Sequence, residues 1–343
     1  MTKARVVAAA VAAAVVLALA GNAGAAPKGK TIQVGSGQSI QAALDAANPG
    51  DTISVSPGTY AEDLVIRKDG VSVVGHNTTL VPPSSPDSGV GVGIIVGDVD
   101  LTSPDFPPPT INGHIVNGAS VTGFIVDGQS NWGIGVLVIE AANTSLSNDN
   151  AKNNTDYGYF DNTSTGTSFS NDVASGGGEA GVYVGDSPNA GASLKSVESF
   201  GNGFGVFVRD AEGVRINGLN SHDNCVGMLV LADAPGPAGN VDAHTSSFDH
   251  NTKACPGSDD GTPPLSGIGI AIVGGNDVRL DGNAIQNNVP GGDTAFTGGV
   301  VMLPGDFGTL PTDISFHGNH MGGNSQDFVT LAPGTNVKIS GNH

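Results

Sequence analysis

Gly181-Val182-Tyr183-Val184 and Gly205-Val206-Phe207-Val208 are two copies of one pattern, a glycine followed by a short apolar run. The same pattern stands at Gly135-Val136-Leu137-Val138, Gly158-Tyr159-Phe160 and Gly227-Met228-Leu229-Val230, so successive glycines are 23, 23, 24 and 22 residues apart. Further copies begin at Gly269 and Gly299, after steps of 42 and 30 residues, and the first of these steps holds an insertion. Each run is short and rich in β-branched or aromatic residues, which fits a strand better than a helix. Self-similarity at a fixed period of this length marks a solenoid, in which each repeat buries the apolar face of its neighbour.

A second strand signal lies between the glycine-led runs, at Val121 to Val126, Ser193 to Val197, Val214 to Ile216, Val241 to Ala243, Val278 to Leu280 and Ile314 to Phe316. Two or three short strands per repeat, punctuated by Gly, Asn and Asp, make one coil of an all-β parallel β-helix. Stacked coils place equivalent residues about 4.8 Å apart. Alternation along a strand then sends Leu137, Phe160, Tyr183, Phe207 and Leu229 outward if Val206 and Val208 point in. Phe160, Tyr183 and Phe207 are therefore candidate substrate-binding residues, since a stripe of rings at this rise can stack on sugars; the competing expectation is that a loop or a partner covers them. Asparagines recur just before the strands, at positions 131, 154, 202, 224, 251, 288 and 324. They are expected to be structural, taking the left-handed turn conformation and bonding amide to amide along the stack.

Residues 1–26 read as a signal peptide: Lys3 and Arg5, an unbroken apolar run from Val6 to Ala20, then Ala23-Gly24-Ala25. That run is shorter than the roughly 20 residues a membrane-spanning helix needs, so no membrane span and a secreted, extracellular product are expected. Without Lys3 and Arg5 the chain carries 11 basic side chains (13 − 2) against 32 acidic ones, a charge of −21. That sign disfavours nucleic acid and anionic lipid as partners, and it repels polyanionic glycans unless calcium or a basic patch intervenes. Cys225 and Cys255, an even pair in an exported chain, are expected to form a disulfide.

Residues 27–343 are expected to form a single β-helix domain, with a short capping helix at 39–47 in which Ile40, Ala43, Leu44 and Ala47 share one face, a loop-rich interruption at 82–110 and an inserted loop at 256–266. The stretch SIQAALDAANPGDTISVSPGTYAEDLVI, Ser39 to Ile66, resembles the opening of the pectin-lyase-like, single-stranded right-handed parallel β-helix proteins, and the later coils resemble their repeats. That resemblance implies fold and not chemistry, because the superfamily includes lyases, hydrolases, esterases, epimerases and non-catalytic members. Asn154-Thr155-Asp156-Tyr157 matches the polygalacturonase-like signature only in part, and Tyr157-Gly158-Tyr159-Phe160-Asp161 only the start of the mannuronan epimerase motif. A pectate-lyase base would be sought at Arg209 or Arg215, both with acidic residues nearby in sequence.

Aligning the turns sets His222-Asp223-Asn224 one coil before Asp249-His250-Asn251. His222, Asp223, Asp249 and His250 are therefore candidate catalytic residues, paired carboxylates and imidazoles being suited to acid–base cleavage of a glycosidic bond; Asp259 and Asp260 are expected at the same edge. The alternative is a solvated ladder of turn residues. No metal site and no required cofactor is read from the sequence, calcium being the one ion allowed for. The expectation is a protein that binds an extracellular polysaccharide, with the sequence leaving open whether it also cleaves or modifies it as a hydrolase or lyase; the other reading is a non-catalytic cell-surface or matrix scaffold.

Overall fold

The computed structural model describes residues 29–84, 91–103, 108–233, 236–257, 262–305, 308–331 and 333–343. The segment 1–26, part of the interruption at 82–110, and Asp259 and Asp260 lie outside the described residues.

The glycine-led runs become one face of the solenoid. Ten strands, from Leu64–Ile66 to Phe328–Thr330, lie in chain order in a single parallel sheet. Two other strand tracks complete each coil, as in Ser193–Lys195 and Glu198–Phe200 before Phe204–Ala211. These tracks join into one twenty-stranded sheet because Ser120–Asp127 runs through both. The chain is thus a right-handed parallel β-helix, nearly all β, with one short α-helix among the described residues.

The interior is filled from all three sides, by Val206, Val208, Met228 and Val230 from the ten-stranded face and by Leu194, Ile216 and Phe248 from the others. Each fully buried side chain of this kind contributes about 1.5–3 kcal/mol. The repeating glycines are explained by close approach. A Cβ at Gly205 would lie 2.0 Å from Ser221 Oγ and 2.4 Å from the Gly227 carbonyl, and one at Gly227 would lie 2.5 Å from the Gly269 carbonyl. Glycine is required there because the next coil occupies the space of a side chain.

The recurring asparagines form a buried spine. Asn202, Asn224, Asn251 and Asn288 each donate through the side-chain amide to the amide oxygen of the next, ending at Asn324, over 2.9 to 3.2 Å. The left-handed turn conformation expected of them belongs instead to the residue before each: Gly201, Asp223, His250 and Asn287, with φ of 70°, 55°, 51° and 55°. Asn131 stands apart, exposed and bonded to the Gln129 carbonyl. Asn154 is buried, but neither end of its amide has a protein partner, because the next coil presents Gly177 at that place and Asn202 bonds to the Gly177 N–H.

The helix Ile40–Ala46 covers the first coil with Ile40 and Leu44. The Glu62 carboxylate accepts from the Ser39 hydroxyl and from the Ile40 and Gln41 N–H groups at the helix start. Lys68 donates to the Leu44, Asp45 and Ala47 carbonyls at its end. A negative charge at the N-terminus and a positive one at the C-terminus complement the helix dipole.

Candidate functional site

Side chains on the outside of the ten-stranded face build a second apolar cluster, separate from the interior. One outward column runs in strict register through Leu137, Phe160, Tyr183, Phe207, Leu229, Ala271 and Val301. From Phe207 onward this column is the floor of an open groove of about 660 Å³ that crosses successive coils. The insertion after Asn251 forms one wall. It is fastened by the Cys225–Cys255 disulfide and by an antiparallel bridge between Cys255 and Leu265. Arg209, Leu231 and Asp233 stand at the opposite rim.

The three expected aromatic residues divide. Phe160 and Tyr183 stack face to face, centroids 4.4 Å apart and planes 8° apart, so each ring covers the other and neither lines the groove. Phe207 meets Tyr183 edge-on at 5.2 Å and does line it. Phe204 and Tyr157 join it there, and both escaped the sequence reading. The signal existed: each immediately precedes a repeat glycine, and both lie in one register column through Ala180. Glu179 and Phe296 also line the groove, and no repeat position marks them.

Arg209 is bound to Asp233 at 2.6 Å and pairs at 3.9 Å with Asp210, its neighbour in sequence. Burial works against the guanidinium charge, but Asp233, Tyr183 and Asp186 outweigh it and hold Arg209 above its ordinary pKa. It is a fixed cation, unsuited to remove a proton. Burial raises the Tyr183 phenol, with Asp186 adding to the effect, and raises Tyr157 likewise, with Glu179 and Asp156 adding.

The turn candidates sit around a corner from this groove. The coil alignment places His222 opposite Asp249, and the Asp223 N–H bonds the His250 carbonyl. The side chains pair mainly with their neighbours in sequence: His222 Nδ1 lies 2.7 Å from Asp223 and His250 Nδ1 2.8 Å from Asp249. His222 also reaches Glu198 at 3.3 Å and stacks on Phe200, and Asp249 accepts from Asn287. Burial lowers the His222 imidazole but its two carboxylates prevail, so its pKa is raised. Asp223 and His250 are the left-handed turn residues of their coils, a conformation Asp, Asn and His adopt more readily than other side chains. Among the described residues no group of three or more His, Cys, Asp or Glu is placed to hold a metal ion, and no helix is long and apolar enough to cross a membrane.

No protein-family model matches this sequence, and no curated protein matches it. Solved structures are similar in fold. Pectate lyase Pel9A is 16% identical with a TM-score of 0.59, the match covering 91% of this chain and 79% of that one. The periplasmic alginate epimerase AlgG is 12% identical with a TM-score of 0.59, covering 91% and 77%. The catalytic domain of a GH87 α-1,3-glucanase, in complex with tetrasaccharides, is 16% identical with a TM-score of 0.55, covering 94% and 70%. At these identities the likeness is one of architecture, and the chain shares the right-handed parallel β-helix fold of these structures.

Proposed function

We propose that this protein binds an extended, uncharged polysaccharide along the groove of the ten-stranded face, outside the cytoplasm, with the coils beneath serving as scaffold. The observation that carries the reading is the groove itself, open along successive coils, with Phe204 and Phe207 on its floor and the Arg209–Asp233 pair at its rim. A coil rise of about 4.8 Å is close to one sugar per coil, aromatic faces pack on sugar rings, and a fixed ion pair supplies oriented hydrogen-bond groups. The acidic balance of the chain, −19 in all, favours an uncharged polymer over a polyuronate. A pectate lyase, an alginate epimerase and a glucanase share the fold, which adds support for a polysaccharide ligand. The disulfide supports an extracellular or periplasmic location, since such bonds persist mainly in oxidising compartments.

Cleavage is assigned to no residue of the groove. Arg209 stays protonated, and His222, Asp223, Asp249 and His250 are read as a solvated edge of turns, each imidazole engaged by the carboxylate beside it. The test is retention of the purified protein on gels carrying neutral and acidic polysaccharides, with and without calcium, while reducing ends and unsaturated products are followed. Retention on a neutral gel that falls about tenfold in Phe207→Ala, with circular dichroism unchanged, is expected. Retention of Phe207→Ala equal to the parent rejects this groove. New reducing ends that vanish in Asp249→Asn return catalysis to the corner.

A further inference from the structure

Of the eight histidines in the chain, His114, His222, His250 and His317 each have a ring nitrogen within 3.4 Å of a carboxylate. His320 and His343 differ. Both are exposed, neither has a carboxylate partner among the described residues, and their rings lie together with centroids 5.1 Å apart and planes tilted by 54°. The register of two successive coils builds this pair. His320 opens the strand His320–Gly322, its N–H bonded to the Asn283 carbonyl at 2.7 Å. One coil on, the His343 N–H bonds the Asn319 carbonyl at 3.1 Å, and the His343 carbonyl accepts the Met321 N–H at 2.7 Å. Beside them runs a second ladder of amides, in which Asn283 donates to Asn319 at 3.1 Å and Asn319 to Asn342 at 3.0 Å. Asn319 and Asn342 each stand one residue before a histidine, so the rung between them sets the spacing of the two imidazoles.

We propose that His320 and His343 together hold one divalent transition-metal ion of the zinc class on the outer surface of the coils. Imidazole nitrogen is a preferred donor for such ions. The spacing fits: on a tetrahedral ion with metal–nitrogen distances of about 2.0–2.1 Å, two imidazoles place their ring centres about 5 Å apart. The outer partner of one ring is also in place. Histidines that ligate metals usually donate the other ring N–H to a carboxylate, a backbone carbonyl or water. His343 Nδ1 lies 3.3 Å from the Gly341 carbonyl, which leaves Nε2 for the ion. Two protein ligands leave the remaining coordination positions to water, consistent with no group of three or more candidate ligands among the described residues. The backbone of both histidines is already fixed by the coil-to-coil bonds, so binding has only two side chains to order. A chain with 32 acidic against 13 basic side chains also draws cations to its surface. The pair stands off the ten-stranded face, and its occupancy is independent of what the groove binds.

The experiment titrates zinc chloride calorimetrically into the purified protein, prepared without a histidine tag, and into His320→Ala, His343→Ala and His222→Ala. His320 and His343 are exposed, and circular dichroism of each variant equal to that of the parent shows the coils intact. One zinc per chain is expected, bound at least about tenfold more weakly by each of the first two variants and as tightly as by the parent in the third. No zinc binding by the parent overturns the proposal, as does binding that either His320→Ala or His343→Ala leaves unchanged. Binding lost in His222→Ala and kept in His320→Ala places the ion at the corner of His222, Asp223 and Glu198, and overturns it equally.

Discussion

The side-chain amide of Asn224 donates to the amide oxygen of Asn251 at 3.0 Å, one coil further on, and the same oxygen accepts the Asn224 backbone N–H at 3.2 Å. Asn224 Nδ2 also reaches the Ser199 carbonyl and Ser221 Oγ, and its own oxygen accepts from Asn202. Replacing it by leucine strands several buried partners at once. Asn224→Leu is expected to lose about 2–3 kcal/mol or more of stability, and Asn131→Ala, exposed and outside the spine, less than about 0.5 kcal/mol. Denaturant melts of both variants check the contrast, and equal losses would remove the spine from the account.

Gly205→Ala is expected to be costlier than its single methyl group suggests. The methyl would have to displace Ser221 or the backbone of the next coil, for a loss of about 1–3 kcal/mol or more. Gly322→Ala is the control, since nothing lies within 4 Å of the Cβ it would gain. A melting temperature for Gly205→Ala equal to that of the control would show that the glycine column tolerates side chains.

These two features show what could be read in the chain and what could not. The glycine period, the strand runs, the outward column and the coil alignment that sets His222 against Asp249 are all visible in the sequence, because a solenoid repeats its local environment at a fixed step. The groove is less visible. Its floor follows from the column, but its wall comes from the insertion and Phe296, which have no counterpart in other coils. The face-to-face pairing of Phe160 with Tyr183 depends on side-chain torsions, which a register does not determine. The turn residues Asp223 and His250 imitated a catalytic cluster because left-handed turns and acid–base sites favour the same side chains.

Stability should fall as pH rises from the acid side. Asp149 and Asp172 lie on successive coils, the Asp149 N–H bonding Asp172 Oδ1, and Asp161 points into the interior beside Thr167. Burial raises all three above 3.8, to about 8 for Asp149 and about 7 for Asp161 and Asp172. The folded state therefore holds protons that the unfolded chain releases, so this contribution is complete below about pH 4 and lost as pH climbs through about 7 to 8. His222, also raised, acts with the same sign. Asp51 and Asp100, lowered by hydrogen bonds from Asn48 and Thr102, act oppositely in strong acid. Thermal melts across this range should peak in mild acid, and Asp161→Asn should flatten the fall toward neutral pH. An unchanged slope in that variant would remove Asp161 from the explanation.

Opening the disulfide should affect both stability and binding. Cys225 and Cys255 are 30 residues apart in the chain, and a cross-link of that span contributes about 3–4 kcal/mol in the chain-entropy account. The double variant Cys225→Ser with Cys255→Ser is expected to melt at a lower temperature and, below that temperature, to lose polysaccharide retention as the groove wall comes loose. Undiminished retention would show that the wall is dispensable.

The stacked rings of Phe160 and Tyr183 lie just short of the asparagine spine, which begins at Asn202. Asn154 finds no rung above it because Gly177 occupies that level, and this is the coil boundary that the two rings span from outside. The parallel pairing of Tyr157–Asn162 with Ala180–Ser187 and the 2.7 Å bond that Asn162 donates to Asp186 hold this joint, and the two rings add a clasp on its outer side where the inner rivet is missing. Pulled along its long axis, the solenoid should yield at this joint under a lower force once either ring is removed.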